Sequence, residues 1–205
     1  HFYEPLGLKR TFFVSNAPTS AFSKTEGQGL APFERERGGD SGVFAATEDC
    51  PWRRRILQGE VHDENAFALG GVSAHAGLFS TAEEVWILAN MLREHHMGVR
   101  DDFFRPETVR EFFRRQDVVA GSDWALGWDT RALEGSSAGR YFSRQSVGHT
   151  GFTGTSVWMD PVKDVTAVLL TNRVHPTREG QENMKAFRPK IHDAIMLELG
   201  IGRME

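Results

Sequence analysis

The sequence predicts an α+β fold with an antiparallel sheet flanked by helices, and three observations carry that prediction. Apolar residues recur at helical spacing after Thr81 and again before Gly200. Between those segments, two β-rich runs flank a short Asp/Pro turn. Helical and strand segments are grouped rather than alternating, which is the mark of an α+β chain.

The elements follow in order. Residues 1–13, HFYEPLGLKRTFF, are aromatic and broken by Pro5-Leu6-Gly7, and read as a helix end followed by a turn. From Ser15 to about Asp49, Gly, Ser, Thr, Pro and charged residues follow without a period, which reads as a long surface loop. Val61 to Ser80 is dense in Gly, Ala and His. The clearest helix starts at the capping box Thr81-Ala82-Glu83-Glu84, continues through Val85, Leu88 and Leu92, and ends at Gly98. A second starts at Pro106, a favoured first-turn residue, and runs through Val109, Phe112 and Phe113. After Gly121 the pattern becomes strand-like. Trp124 to Trp128 reads as a short strand with both indoles on one face. Thr155–Asp160 and Val165–Thr171 enclose the turn Asp160–Asp164, and the second run, VTAVLLT, is apolar enough to be buried on both faces. A last amphipathic helix covers Met184 to Leu199 and stops at Gly200. Most of the Trp and Phe residues are expected in the core.

The bulk numbers bound the function. A chain of 205 residues suffices for one domain with a sizeable core. A net charge of -4 argues against a nucleic-acid surface, and clusters such as Arg53-Arg54-Arg55 lie among acidic residues as solvated faces. The single cysteine, Cys50, excludes an internal disulfide framework. No run of about 20 apolar residues occurs, so no membrane-spanning helix is expected. The chain begins at His1-Phe2-Tyr3 without a methionine, and a longer gene product is expected.

Several motifs invite chemistry. His149-Thr150-Gly151, followed by Phe152-Thr153-Gly154 and a hairpin, has the composition of a strand edge beside a substrate. Acyl transfer requires donors aimed at a developing oxyanion, and a backbone N–H at such an edge can serve. Gly151 lets backbone approach a ligand, and His149 can supply a cation or a donor. The alternative is a polar strand end with a glycine bulge. Gly39-Asp40-Ser41-Gly42 matches a protease nucleophile motif, but the corresponding triad order requires a histidine and then an aspartate upstream. Only His1 precedes Ser41, so a flexible loop is expected. His62-Asp63 and His75 lack metal-site spacing and read as turn residues bonded to backbone; no metal and no cofactor is expected. His95-His96 stands at a helix C-terminus, where positive charge is favourable.

Longer runs carry a resemblance. GHTGFTGTSVWMDP, the hairpin and LLTNRVHP are similar to the C-terminal part of the β-lactamase-related serine hydrolases, a family that includes class C β-lactamases, low-molecular-weight penicillin-binding proteins and esterases. The third signature of that family is Lys-Thr-Gly or His-Thr-Gly, and His149-Thr150-Gly151 fits the second form. Phe2 to Leu8 resembles the family's F-x-P-L-G-M segment. Leu69–Val72 with Ala76–Ala82 resembles its GG…STA stretch, and the run Gly59 to Val85 resembles penicillin-binding proteins of the 4B type. The resemblance implies a β-lactamase/transpeptidase-like fold, an oxyanion N–H from Phe152, and substrate contacts from His149, Thr150 and Gly151. It also places His75 at the site rim and Thr177, in Asn172–Thr177, near a substrate carboxylate.

Two family signatures are absent. None of Lys9, Lys24, Lys163, Lys185 and Lys190 follows a serine by three residues, so there is no Ser-x-x-Lys. Tyr3 and Tyr141 are followed two residues later by Pro5 and Ser143, so there is no Tyr-x-Asn. In the family both signatures lie upstream of the P-L-G segment. The expectation is therefore that residues 1–205 are the C-terminal part of a single serine hydrolase domain whose N-terminal portion is missing. Such a chain would be inactive alone and unstable or prone to aggregate. Its partners would be that missing portion and a small-molecule or peptidoglycan-like substrate, or a β-lactam-like one, in a periplasmic or extracytoplasmic setting. The alternative is a non-catalytic β-lactamase-like binding protein.

Overall fold

A computed structural model describes residues 2–16 and 44–202. The Gly39–Gly42 motif and most of the expected long loop lie outside these residues. The chain forms two compact units. The first takes residues 3–81 and 172–179; the second takes 82–171 and 180–205 together with Phe2.

The first unit is built from short pieces. β1 (Phe12–Phe13) pairs antiparallel with β4 (Leu78–Phe79), and β2 (Glu48–Cys50) with β3 (Arg55–Leu57). One short helix, α1 (Glu64–Ala68), begins where the Asp63 side chain accepts from the Ala66 N–H at 2.8 Å. Phe44 lies edge-on to Phe12 and Phe79, at 6.2 and 5.2 Å, and with them covers the β1–β4 ribbon. Cys50, Leu57, Val61 and Ala66 are buried. Residues 3–7 are turns and not a helix end, because Gly7 (φ 71°) and Leu8 close back onto the Glu4 and Tyr3 carbonyls.

The second unit carries the predicted sheet and its helices. β5 (Asp129–Thr130), β6 (Val147–Thr150), β7 (Ser156–Asp160) and β8 (Val165–Leu169) form an antiparallel meander in sequence order. β7 alternates faces. Trp158 turns toward α4 (Gln181–Glu198), joining Ala167, Phe142 and Met196. Met159 turns the other way, joining Val147 with Ala89 of α2 (Ala82–Met97) and Val109 and Phe113 of α3 (Pro106–Phe113). The sheet is thus covered on both faces.

α2 and α4 end as predicted. Gly98 adopts φ 77°, and the N–H groups of Gly98 and Val99 return to the His95 and Glu94 carbonyls. Gly200 and Ile201 repeat this arrangement on Leu197 and Met196. The turn at Asp160 is held by its fully buried carboxylate, which accepts from the N–H groups of Ser143, Val162 and Lys163 and from the Ser143 hydroxyl.

Other expectations are corrected. Trp124–Trp128 is a turn leading into β5 and not a strand: Trp124 forms only an isolated bridge with Asp129, and the Ala125 N–H closes on the Trp128 carbonyl at 2.8 Å. Of the tryptophans only Trp158 is fully buried; Trp52, Trp86 and Trp124 are largely exposed. β8 is buried only on the face of Val165 and Ala167; Thr166 and Val168 on the other face are half-buried, and Leu170 beyond the strand is exposed. His95, at the C-terminal end of α2, belongs to the interior. It is fully buried, donating Nδ1–H to the Met91 carbonyl at 2.7 Å while Nε2 accepts from Phe103 N–H at 3.2 Å.

Candidate active site

The candidate site in the second unit is the end of β6. Regular pairing continues to Thr150 opposite Ser156, so the strand end holds no glycine bulge. Gly148 lies opposite Trp158, and the indole occupies the place a side chain would need: a Cβ there would stand 2.4 Å from Trp158 Cδ2. His149, one residue on, therefore points to the other face of the sheet. It is exposed, with its ring 5.9 Å from that of Trp124. Its Nδ1–H donates to the Thr150 carbonyl at 2.9 Å. Nε2 is thus the nitrogen presented to a ligand, an acceptor when the ring is neutral and a donor when it is protonated. Asp129 stands on the neighbouring strand opposite Gly148. Burial pushes its carboxyl above the usual range and Asp123 adds to this, while His149 pulls it back.

The turn after Thr150 is tight. The Gly151 N–H donates to the Thr155 carbonyl at 2.8 Å, and the Gly154 N–H donates to the Gly151 carbonyl at 3.0 Å. A Cβ at Gly151 would lie 2.1 Å from Thr155 Oγ1. The turn's own threonine thus crowds position 151, and a side chain there would force the Thr155 hydroxyl to turn away. Side chains hold the carbonyls of this turn. Arg188 on α4 donates Nη2–H to the Gly151 and Thr155 carbonyls at 2.7 and 3.0 Å, and Nε–H to the Gly154 carbonyl at 3.3 Å. The Thr171 hydroxyl donates to the Thr153 carbonyl at 3.0 Å. Phe152, at the tip, is 54% exposed.

The other two expected residues belong to the first unit. His75 is exposed. It accepts at Nδ1 from the Ser73 hydroxyl at 2.7 Å and donates Nε2–H to Asp63 at 3.0 Å, so its partners are side chains and not backbone. The Asp63 carboxyl is held below its usual range, first by the Ala66 amide and then by His75. Thr177 is exposed, and its segment is tied down on both sides. Asn172 donates to the Ala46 carbonyl at 2.9 Å, and the Asp49 N–H donates to the Pro176 carbonyl at 2.9 Å. Arg178 grips the buried Glu48 at 2.6 and 3.1 Å and also pairs with Glu64. Arg178 lowers the Glu48 carboxyl against the opposing effect of burial, with His62 adding at 3.1 Å, and the two carboxylates raise the guanidinium in return. The structure thus brings His149, Thr150, Gly151 and Phe152 together at one strand end, and places His75 and Thr177 on the first unit.

Reading the sequence missed Arg188, Asp129 and the Glu48–Arg178 pair. Arg188 left one legible trace. It lies at helical spacing with His192 and Met196, a cation in the stripe of α4 that otherwise faces the sheet. Among the described residues no group of three or more His, Cys, Asp or Glu side chains is gathered as a metal site, and no helix is long and apolar enough to cross a membrane.

The Beta-lactamase family model matches residues 1–187. A protein of Escherichia coli (strain K12) named "Putative D-alanyl-D-alanine carboxypeptidase" is 34% identical over 189 residues, which is 90% of this chain and 41% of that protein. A protein of the same name from Salmonella agona (strain SL483) matches with the same identity and coverage. The chain thus spans well under half the length of these curated relatives. Among solved structures, EstCE1, "a hydrolase with promiscuous acyltransferase activity", superposes with a TM-score of 0.50 at 18% identity, covering 95% of this chain and 48% of that one, a likeness of fold.

Proposed function

The chain belongs to the beta-lactamase family, and from that premise we propose that it forms one wall of the active site of a serine hydrolase that cleaves ester or amide substrates through an acyl-enzyme. The observation that carries this reading is the β6 strand end, where an exposed His149 presents Nε2 beside a turn of fixed backbone. In this reading His149 anchors or polarises the substrate, Thr150 positions it, and the Phe152 N–H donates to the oxyanion. The serine and its lysine come from a portion of the protein preceding residue 1. The carboxypeptidase name of the Escherichia coli relative favours a peptidoglycan-like substrate, with an ester as the simplest surrogate. The setting proposed is extracytoplasmic.

The test compares residues 1–205 with the complete gene product, using nitrocefin and p-nitrophenyl acetate. The complete protein is expected to turn over at least one of them, and His149→Ala to impair it. Residues 1–205 alone should show no turnover above a His149→Ala control, and turnover above that control would refute the division of the site. One observation favours a second reading, a non-catalytic binding protein: this sequence contains neither Ser-x-x-Lys nor Tyr-x-Asn. Saturable binding of a stem peptide by a complete gene product that also lacks both signatures would decide for it.

A further inference from the structure

We infer that Arg188 is the positioning residue for the oxyanion donor: by holding the Gly151 carbonyl it fixes the direction of the Phe152 N–H and strengthens it as a donor. This rests on the serine hydrolase reading above and adds a residue on a helix that no signature motif reaches.

The argument begins with the peptide unit. The Gly151 carbonyl and the Phe152 N–H belong to one planar trans group, so the two bonds point in opposite directions. The Gly151 oxygen is held by Arg188 Nη2 at 2.7 Å and by the Gly154 N–H at 3.0 Å. Whatever fixes that oxygen against α4 directs the Phe152 N–H away from α4. The same guanidinium bonds the Thr155 and Gly154 carbonyls at 3.0 and 3.3 Å, so it sets the turn as a whole and not a single bond. A planar fork suits this task, and an ammonium can satisfy only part of it. Its positive charge on the carbonyl oxygen also draws electron density through the peptide, which makes the attached N–H the stronger donor. Three carbonyls converging on one cation from a helix exceed what closing the turn requires, since Gly151 and Gly154 already bond across it.

The test uses the complete gene product with p-nitrophenyl acetate. Losing a well-placed oxyanion donor costs about 10²–10³ in kcat. Arg188→Met is expected to lower kcat about 10²-fold with KM changed less than about threefold, and Arg188→Lys to recover roughly tenfold of that loss. Arg140→Met serves as a control for general weakening, since Arg140 bonds Asp193 on the same helix and touches none of the turn carbonyls. Its pair is largely exposed on the arginine side, so it should lower the melting temperature by no more than about 2–4 °C and leave kcat in place. If Arg188→Met keeps wild-type kcat while His149→Ala is impaired, the role of Arg188 is refuted and the hydrolase reading stands. The role is also refuted if Arg188→Met and Arg140→Met change kcat, KM and melting temperature in parallel. If the unsubstituted protein turns over no ester or amide, the hydrolase reading falls and takes this role with it.

Discussion

Gly148→Ala is the most direct probe of the packing that aims His149. The added methyl would lie 2.4 and 2.6 Å from Trp158 Cδ2 and Cε3, and 2.4 Å from the Val157 carbonyl oxygen. Carbon atoms pack at about 3.5–4.0 Å, so the indole or the strand must move by about 1 Å. Neither has room to yield. Trp158 is fully buried against Phe142, Ala167 and Met196, and Val157 belongs to the paired strand. Overpacking of this kind costs about 1–3 kcal/mol, and a clash with both ring and backbone belongs at the upper end. Alanine loses less chain entropy than glycine on folding, which returns about 0.4–1 kcal/mol. A net loss of about 2 kcal/mol corresponds to a melting temperature lower by roughly 4–8 °C in a chain of this size. Circular dichroism at varied temperature or urea measures it. The double variant Gly148→Ala/Trp158→Leu removes the ring atoms in question. It should therefore be less destabilised than the sum of its parts by about 1 kcal/mol, the remainder reflecting the Val157 carbonyl. A single variant within about 0.5 kcal/mol of the parent, or strict additivity, would refute the reasoning.

Three further outcomes are expected. Arg178→Met strips the buried Glu48 of its fork. Arg178 is itself 43% exposed, so the loss should be about 2–3 kcal/mol, short of the 3–5 of a fully buried pair, and Glu48→Gln in that background should restore part of it in a urea midpoint. His192 is fully buried between Ser156 Oγ and the Ser137 carbonyl, and burial holds its pKa below the ordinary value, with Arg188 adding and Ser137 opposing. The folded state then binds fewer protons than the unfolded one. Stability from this group is complete above about pH 6.5 and declines as the pH falls from there toward the folded pKa, and His192→Gln should flatten that decline in urea midpoints taken across the range. Finally, β8 ends the sheet with one described neighbour. Residues 1–205 alone are expected to self-associate with rising concentration, and Val168→Lys to shift a sizing column profile toward monomer; a monomer at all concentrations would contradict this.

How much of this was legible follows from how local each signal is. The start of α2 and its stop at Gly98 are decided within a few residues, by Thr81-Ala82-Glu83-Glu84 and by a glycine free to take positive φ. The β7–β8 hairpin is likewise announced by its own turn. The ribbons of the first unit were not visible. Phe12–Phe13 and Leu78–Phe79 are too short to show a period, and each strand exists only because a partner far along the chain completes it. Within the candidate site, His149–Phe152 could be found as a contiguous motif. Asp129 reaches it through strand register and Arg188 through helix packing, neither of which is encoded near the motif. The crowding at Gly151 was hidden for the same cause: Thr155 Oγ1 comes beside it only through the turn's conformation.

The division of the first unit across the chain has a consequence for the order of events during synthesis. Its two parts, residues 3–81 and 172–179, are separated by about ninety residues that belong to the other unit. The second unit pairs each strand with its sequence neighbour, so its sheet can form by successive local closures, the kind that proceed fast. The first unit must wait, because Glu48 meets Arg178 only across a separation of 130 residues. On a ribosome, Glu48 and His62 therefore emerge long before the cation that completes them. The entropy of that closure grows only slowly with the length of chain between the two partners, so the distance in sequence delays the contact more than it weakens it. A stall or truncation between Thr171 and Arg178 would leave the first unit open and, with α4 not yet made, the Trp158 face of the sheet uncovered.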